Sequence, residues 1–338
     1  MINYYFIPQM SQHPALVVME QDAVVRRTGF MVHEDTESGD NSVLWNLDRL
    51  DQRDNALDQS YDPAGDGSNV DIYILDSGMR LTHQDLEGRA QYMGYDAVDD
   101  LVGGHKQGLD DCDGHGTHCA GVAAGKKFGV AKNASIYNAR VLECDGSGLV
   151  SGIVKAIEFI IKQNQEHERR AVISLSLDVK NSVSLDKAME AAADSGIVGV
   201  GAAGNQAAYS CDYSPGRSSK SIAVGATNKE DEVTSFTNTG KCTTIMAPGA
   251  RITSAWYDCD TCTKTISGTS MATPHVAGYA AIVLSQDSEL TAEQVMQKMI
   301  NESTKDAVKI MSGSVEETPN RLLYVTSKAS VAAGEMTE

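Results

Sequence analysis

The sequence predicts a three-layer α/β fold with a mostly parallel central sheet and helices on both faces. Three observations carry that expectation. Short, β-branched apolar runs recur from Val70 onward, amphipathic helical stretches lie between them, and Gly-rich turns punctuate the alternation. The 338 residues, 41% of them apolar, supply enough material for a sizeable core.

Taken in order, the segment Ala15–Val25 reads as a strand. It is followed by Arg26-Arg27 and by the acidic, small-residue stretch His33–Asp40, which has the composition of a linker. Beyond it, 70–75, 135–142, 171–177, 197–202 and 221–226 read as buried parallel strands. Between them, Leu149, Val150, Ile153, Val154, Ile157, Ile160 and Ile161 form one apolar stripe at helical spacing, and Leu185, Met189, Ala192 and Ala193 form a weaker one. A further apolar helix runs from Ser270 to about Leu284, with Pro274 expected in or near its first turn.

Composition excludes several functions. The net charge of −18 repels a phosphate backbone and argues against nucleic acid as a partner. No run approaches the roughly 18 uncharged apolar residues of a membrane-spanning helix, so no membrane partner is expected. The seven cysteines allow at most three pairs. Cys259-Asp-Thr-Cys262 alone could be a redox or zinc dithiol, but a zinc ribbon would want a second such pair, and an oxidising compartment is the better reading. Met1–Phe6 lacks the features of a signal peptide, so for a secreted or extracellular protein the signal is expected to lie outside this sequence.

Three segments place reactive side chains where strands end or helices begin. Asp76 closes an apolar strand ahead of Ser77-Gly78, at the edge where open α/β sheets build their sites. In Asp113-Gly114-His115-Gly116-Thr117-His118-Cys119, two histidines three apart could ligate a metal, although the spacing is not the usual four with a Glu between. The small residues around His115 suit an imidazole that approaches a backbone and a substrate. In Ser267-Gly268-Thr269-Ser270-Met271-Ala272-Thr273-Pro274-His275, Ser270 could be an N-cap, yet so many small neighbours suggest that something must come close. Serine chemistry needs a base, a carboxylate to orient it and dipoles for the oxyanion. Asp76, His115 and Ser270 supply the first set, while Asn205 in Gly201-Ala202-Ala203-Gly204-Asn205, with the Ser270 N–H, supplies the oxyanion hole.

With Asp-Ser-Gly, His-Gly-Thr-His-Cys and Gly-Thr-Ser-Met-Ala-Thr-Pro-His in that order, residues 43–327 resemble the subtilisin-family serine peptidases, in the proteinase K-like branch. The resemblance implies a subtilisin-like fold, catalytic Asp76, His115 and Ser270, and substrate-binding strands at Gly146-Ser147-Gly148 and Ser176-Leu177-Asp178, with Ala202, Ala203 and Gly204 nearby. Met10–Val25 is similar to the last part of the family's inhibitory propeptide, without its first half. The domains expected are 1–40, propeptide end plus processing linker cut between about Glu37 and Ser42; 41–330, peptidase; and 331–338, a tail. The cysteine layout is similar to that of a receptor-binding convertase and implies Cys112–Cys144, Cys211–Cys242 and Cys259–Cys262, leaving Cys119 as a free thiol.

Two positions depart from the family pattern. Asp178 stands where relatives continue with glycines; it narrows the first specificity pocket, puts a charge near its mouth, or points into solvent. Thr244 stands where proteinase K-like enzymes carry a calcium-binding Asp, so calcium there is disfavoured while other sites stay open. The resulting expectation is a monomeric serine endopeptidase acting on polypeptides, held by its own propeptide as inhibitor, with no cofactor needed for the chemistry. The alternative is a binding protein that cleaves itself once and keeps its propeptide.

Overall fold

Apolar side chains of the central strands alternate between two faces, and helices cover both. The computed structural model describes residues 18–28, 31–33, 43–98, 111–167, 169–310 and 317–333. Along the chain come β1 (Val24–Arg27), β2 (Met31–Val32), α1 (Trp45–Leu50), β3 (Val70–Asp76), β4 (Ala90–Asp96), α2 (His115–Ala124), β5 (Ser135–Arg140), β6 (Ser147–Leu149) and α3 (Val150–His167). Then follow β7 (Arg170–Leu175), β8 (Leu177–Lys180), α4 (Val183–Asp194), β9 (Val198–Ala202), β10 (Tyr213–Ser214), β11 (Ser221–Thr227), β12 (Ile245–Pro248), β13 (Ile252–Ala255) and β14 (Thr263–Ser267). The chain closes with α5 (Thr269–Gln286), α6 (Ala292–Glu302), β15 (Thr304–Lys305), β16 (Arg321–Leu322) and α7 (Lys328–Ala332).

The nine-stranded central sheet has the order β15-β16-β12-β11-β9-β7-β3-β5-β4 and is parallel except for the β15–β16 pair. In β3, Ile72 and Ile74 join the apolar layer formed with α2, α5 and α6, while Tyr73 and Leu75 join the opposite layer formed with α3 and α4. The α3 stripe buries Val150, Ile153, Ile157 and Ile160, with Val154 and Ile161 half-buried beside them. Helix α5 is buried all round from Thr269 to Leu284, as a helix running through the middle of the protein must be.

Two sequence expectations need correction. The run 171–177 is two strands: β7 stays in the central sheet, while β8, beginning one residue after Ser176, belongs to a four-stranded antiparallel sheet of order β10-β8-β1-β6. The strand expected over Ala15–Val25 is confined to Val24–Arg27; residues 18–23 are not strand, and 15–17 lie outside the described residues. What makes β1 a strand is pairing with β6 on one side and β8 on the other, not its own composition.

The structure contains the disulfides Cys112–Cys144, Cys211–Cys242 and Cys259–Cys262, and Cys119 is a buried free thiol. Among the described residues no helix is long and apolar enough to cross a membrane.

Candidate active site

The carboxyl ends of the parallel strands gather the groups singled out in the sequence. Asp76 ends β3, Ser176 follows β7, and Ala203-Gly204-Asn205 follow β9. The Asp76 carboxylate accepts from Ser77 N at 2.8 Å and from His115 Nδ1 at 2.8 and 2.9 Å, with both side chains buried. Burial opposes charge on His115, but the Asp76 carboxylate outweighs it and holds the imidazole well above the ordinary His range. The small neighbours have steric causes. Gly114 has φ +95°, and a Cβ there would come within 2.5 Å of Tyr257; one at Gly116 would come within 2.1 Å of Gly78 O.

Asp111, four residues before His115, was not recognised in the sequence. Its Oδ1 accepts from Ser77 Oγ (2.9 Å), Asp113 N (3.1 Å) and Gly114 N (2.8 Å), and its Oδ2 accepts from Thr117 N (2.9 Å) and Thr117 Oγ1 (2.7 Å). One buried carboxylate thus ties the residue after Asp76 to the N-terminus of the helix that begins at His115. The sequence signal was available, since an acid ahead of a Gly-rich helix start fits the N-terminal dipole.

Ser270 is the second residue of α5 and is buried. Pro274 falls in the second turn, not the first, and its missing N–H would have bonded Ser270 O. That carbonyl instead accepts from Ser176 Oγ at 2.9 Å and from Cys119 Sγ at 3.5 Å, so the proline opens the helix where Cys119 of α2 and Ser176, just after β7, reach it. Cys119 Sγ also lies 3.9 Å from His115 Nδ1, and burial pushes its pKa up. Asn205 Oδ1 accepts from Thr269 N (3.0 Å) and Thr269 Oγ1 (2.8 Å), which turns the amide nitrogen away from Thr269.

The metal alternative for the two histidines finds no support in geometry. His118 Nε2 is directed at the carbonyls of Ile252 and Lys264, both at 3.1 Å, and burial lowers its pKa to about 3. His275 donates from Nδ1 to Met271 O at 2.7 Å, accepts from Asn46 Nδ2 at 2.8 Å, and is lowered to about 4 by burial. Both are neutral core histidines. At Thr244, Oγ1 accepts from Ala223 N at 3.1 Å, so the position offers a neutral hydroxyl, which contributes less to calcium affinity than a carboxylate would.

A segment of the chain lies in the groove between the two strands expected to bind substrate. In β1, Val25 pairs with Gly148, Arg26 with Ser147 and Asp178, and Arg27 with Leu177, all antiparallel. Arg27 N donates to Gly146 O at 2.9 Å and Thr28 N to Ser176 O at 3.3 Å. Thr28 is 1% exposed. Ser270 Oγ lies 3.1 Å from Ser176 O and 3.2 Å from Thr28 O, and it meets Thr28 Oγ1. Further along, β2 pairs with β14, and His33 Nε2 contacts Ser267 Oγ at 2.6 Å. The cut expected between Glu37 and Ser42 lies outside the described residues.

Asp178 does not point into solvent. It is 8% exposed, its carboxylate accepts from Gln206 Nε2 at 3.2 and 3.0 Å, and burial raises its pKa to about 6. Gln206 Oε1 accepts from Asn238 Nδ2 at 2.7 Å, which donates also to Ala203 O at 2.9 Å. An acid–amide chain therefore crosses from the Ser176–Asp178 side to the Ala202–Gly204 side. Gln206 was missed because its partner is distant in sequence.

A parallel sheet edge with a buried Asp–His pair, a serine at a helix start and an extended peptide laid against that serine defines a serine peptidase. The chain belongs to the subtilase family (peptidase S8), which it matches over residues 67–318. It is 41% identical over 318 residues to an extracellular serine proteinase of Thermus sp. (strain Rt41A), covering 94% of this chain and 72% of that protein. It is 38% identical over 323 residues to alkaline serine exoprotease A of Vibrio alginolyticus, covering 96% of this chain and 57% of that one. Among solved structures it is similar to a cold-adapted subtilisin-like serine proteinase, with TM-score 0.78 and 40% identity over 85% of this chain and all of that one. It is also similar to Sphericase, with TM-score 0.73 and 25% identity over 85% of this chain and 99% of that one.

Proposed function

We propose that the chain is a serine endopeptidase made as a self-inhibited precursor that cuts its own Thr28–Gly29 bond, upstream of the acidic linker where the sequence first suggested it. Ser270 Oγ attacks the Thr28 carbonyl carbon and passes its proton to His115 Nε2. Asp76 holds the His115 Nδ1–H and balances the imidazolium, while Asn205 Nδ2 and the Ser270 N–H carry the oxyanion. His115 returns the proton to the leaving amine, and water then releases the acyl group by the same steps. The same machinery serves polypeptide substrates in trans once residues 24–28 leave the groove, and needs no cofactor.

The observation that carries this reading is the Thr28 carbonyl, 3.2 Å from Ser270 Oγ, directly after a strand that pairs with β6 on one side and β8 on the other. Three disulfides suit an oxidising compartment, and the Thermus relative is named extracellular, which supports export. The burial of Val25 and Thr28 also suits the second reading, a once-cleaved binder that retains its prosegment.

Turnover separates the two. Purified processed protein should hydrolyse casein or peptide anilides many times per molecule, and Ser270→Ala should not. Processed protein that stays silent with its prosegment bound would favour the binder, and equal hydrolysis by Ser270→Ala would end the serine mechanism.

A further inference from the structure

We propose, building on the endopeptidase reading, that Asp113 makes the second specificity subsite select Arg or Lys at the residue before the one whose carbonyl is attacked. In the bound segment that residue is Arg27, and its Nε lies 3.0 Å from Asp113 Oδ2, the Asp113 side chain being only 9% exposed. The site is shaped for a long side chain. A Cβ at Gly146 would come within 2.5–2.9 Å of Arg27 Nε, Cγ and Cδ, so the basic stem lies flat over a glycine whose φ of +75° few other residues adopt. The two walls are joined covalently, because Cys112 precedes Asp113 and is bonded to Cys144, two residues before Gly146. Asp113 N is held by Asp111 Oδ1 at 3.1 Å, which fixes the loop from the other side.

The charge balance calls for a cation. Burial disfavours the Asp113 carboxylate, Arg27 and His115 favour it, and Asp76 and Asp111 oppose it. When the prosegment departs, Arg27 departs too and leaves three carboxylates around one imidazole. A peptide bringing a guanidinium or ammonium restores the pair, and one bringing a carboxylate adds repulsion. Neighbouring positions share the task differently: Val25 is wholly buried in the apolar layer, and Thr28 is enclosed beside Ser176 and Ser270. The preferred substrate is therefore an extended peptide with an apolar residue, any residue, a basic residue and a small residue leading to the cut.

The test uses processed protein freed of its prosegment and fluorogenic peptides Val-Ala-X-Thr with X as Arg, Lys, Ala or Glu. At low salt the kcat/KM for Arg should exceed that for Ala by about tenfold, with Glu below Ala, and the ratio should shrink as NaCl rises. Asp113→Asn should bring the Arg:Ala ratio close to one, and Asp113→Lys should invert the Arg:Glu order. An Arg:Ala ratio near one in the wild type, or one unchanged in Asp113→Asn, overturns the proposal. If the variants do not mature, the wild-type series and its salt dependence decide alone. Hydrolysis of every peptide without preference sinks only the subsite, whereas hydrolysis of none, casein included, sinks the endopeptidase reading beneath it.

Discussion

Replacing Asp111 by Ala should cost both stability and catalysis, because one buried carboxylate serves donors on two elements. The hydroxyls of Ser77 and Thr117 can rotate toward new partners, but the N–H groups of Gly114 and Thr117 are fixed at the start of α2. Each of these two buried donors left unmade costs about 1–3 kcal/mol, and the lost anion at a helix N-terminus adds about 0.3–1 kcal/mol, giving roughly 2–7 kcal/mol in all. Denaturant unfolding in a Ser270→Ala background, where self-digestion cannot distort the baseline, reads that loss as a lower midpoint at unchanged slope. In the active protein, His115 loses its fixed position, and a displacement near 1 Å costs on the order of a hundredfold in rate. That loss should fall on kcat rather than KM, with Asp111→Asn intermediate because it keeps one acceptor oxygen. A stability change under about 1 kcal/mol with unaltered kcat would refute the idea that this carboxylate organises the site.

Activity should rise with pH through one ionisation at or above the ordinary His value of about 6.5, since Asp76 raises His115 and only the neutral imidazole accepts a proton; a kcat/KM profile flat across the His range would contradict His115 as base. Asp178, raised to about 6, binds a proton in the folded state that the unfolded chain releases near 3.8, so its contribution to stability declines as pH rises from about 4 to 6 and stays low above that. Asp178→Asn should therefore match the wild type below about pH 4 and gain about 1–3 kcal/mol at pH 8, with equal unfolding midpoints at both pH values counting against a buried acid. Cys119→Ser should keep most activity and lose sensitivity to a small mercurial, which enters beside His115 in the wild type; an inactive but folded and processed variant would make the thiol essential.

Local pattern revealed much of this, and long-range pairing supplied the rest. The runs of β3, β5, β9 and β11 were legible because strands covered on both faces are mostly apolar and lack a solvent-facing polar alternation. Strand β4 (AQYMGYD) was not, because it is an edge strand with exposed Gln91 and Tyr92, and β12 is four residues ending in proline. The split at Ser176 had no local signal, since Leu175 and Leu177 are equally buried and differ only in which sheet they join. Asp76, His115 and Ser270 stood out because reactive side chains among small residues at strand ends and helix starts are unusual. Thr28 could not stand out: its neighbours Arg26-Arg27 look like solvent-facing charge until β6 and β8, over twenty residues apart, close on either side. Asp113 was visible in its motif, but its role depends on Arg27, far off in the chain.

The most direct test of the account is N-terminal sequencing with intact mass of the protein expressed in a protease-free host, beside its Ser270→Ala variant. The account predicts that the wild type acquires a new N-terminus at Gly29 and that Ser270→Ala retains an uncut Thr28–Gly29 bond. A first cut elsewhere, or the same cut in Ser270→Ala, would contradict it.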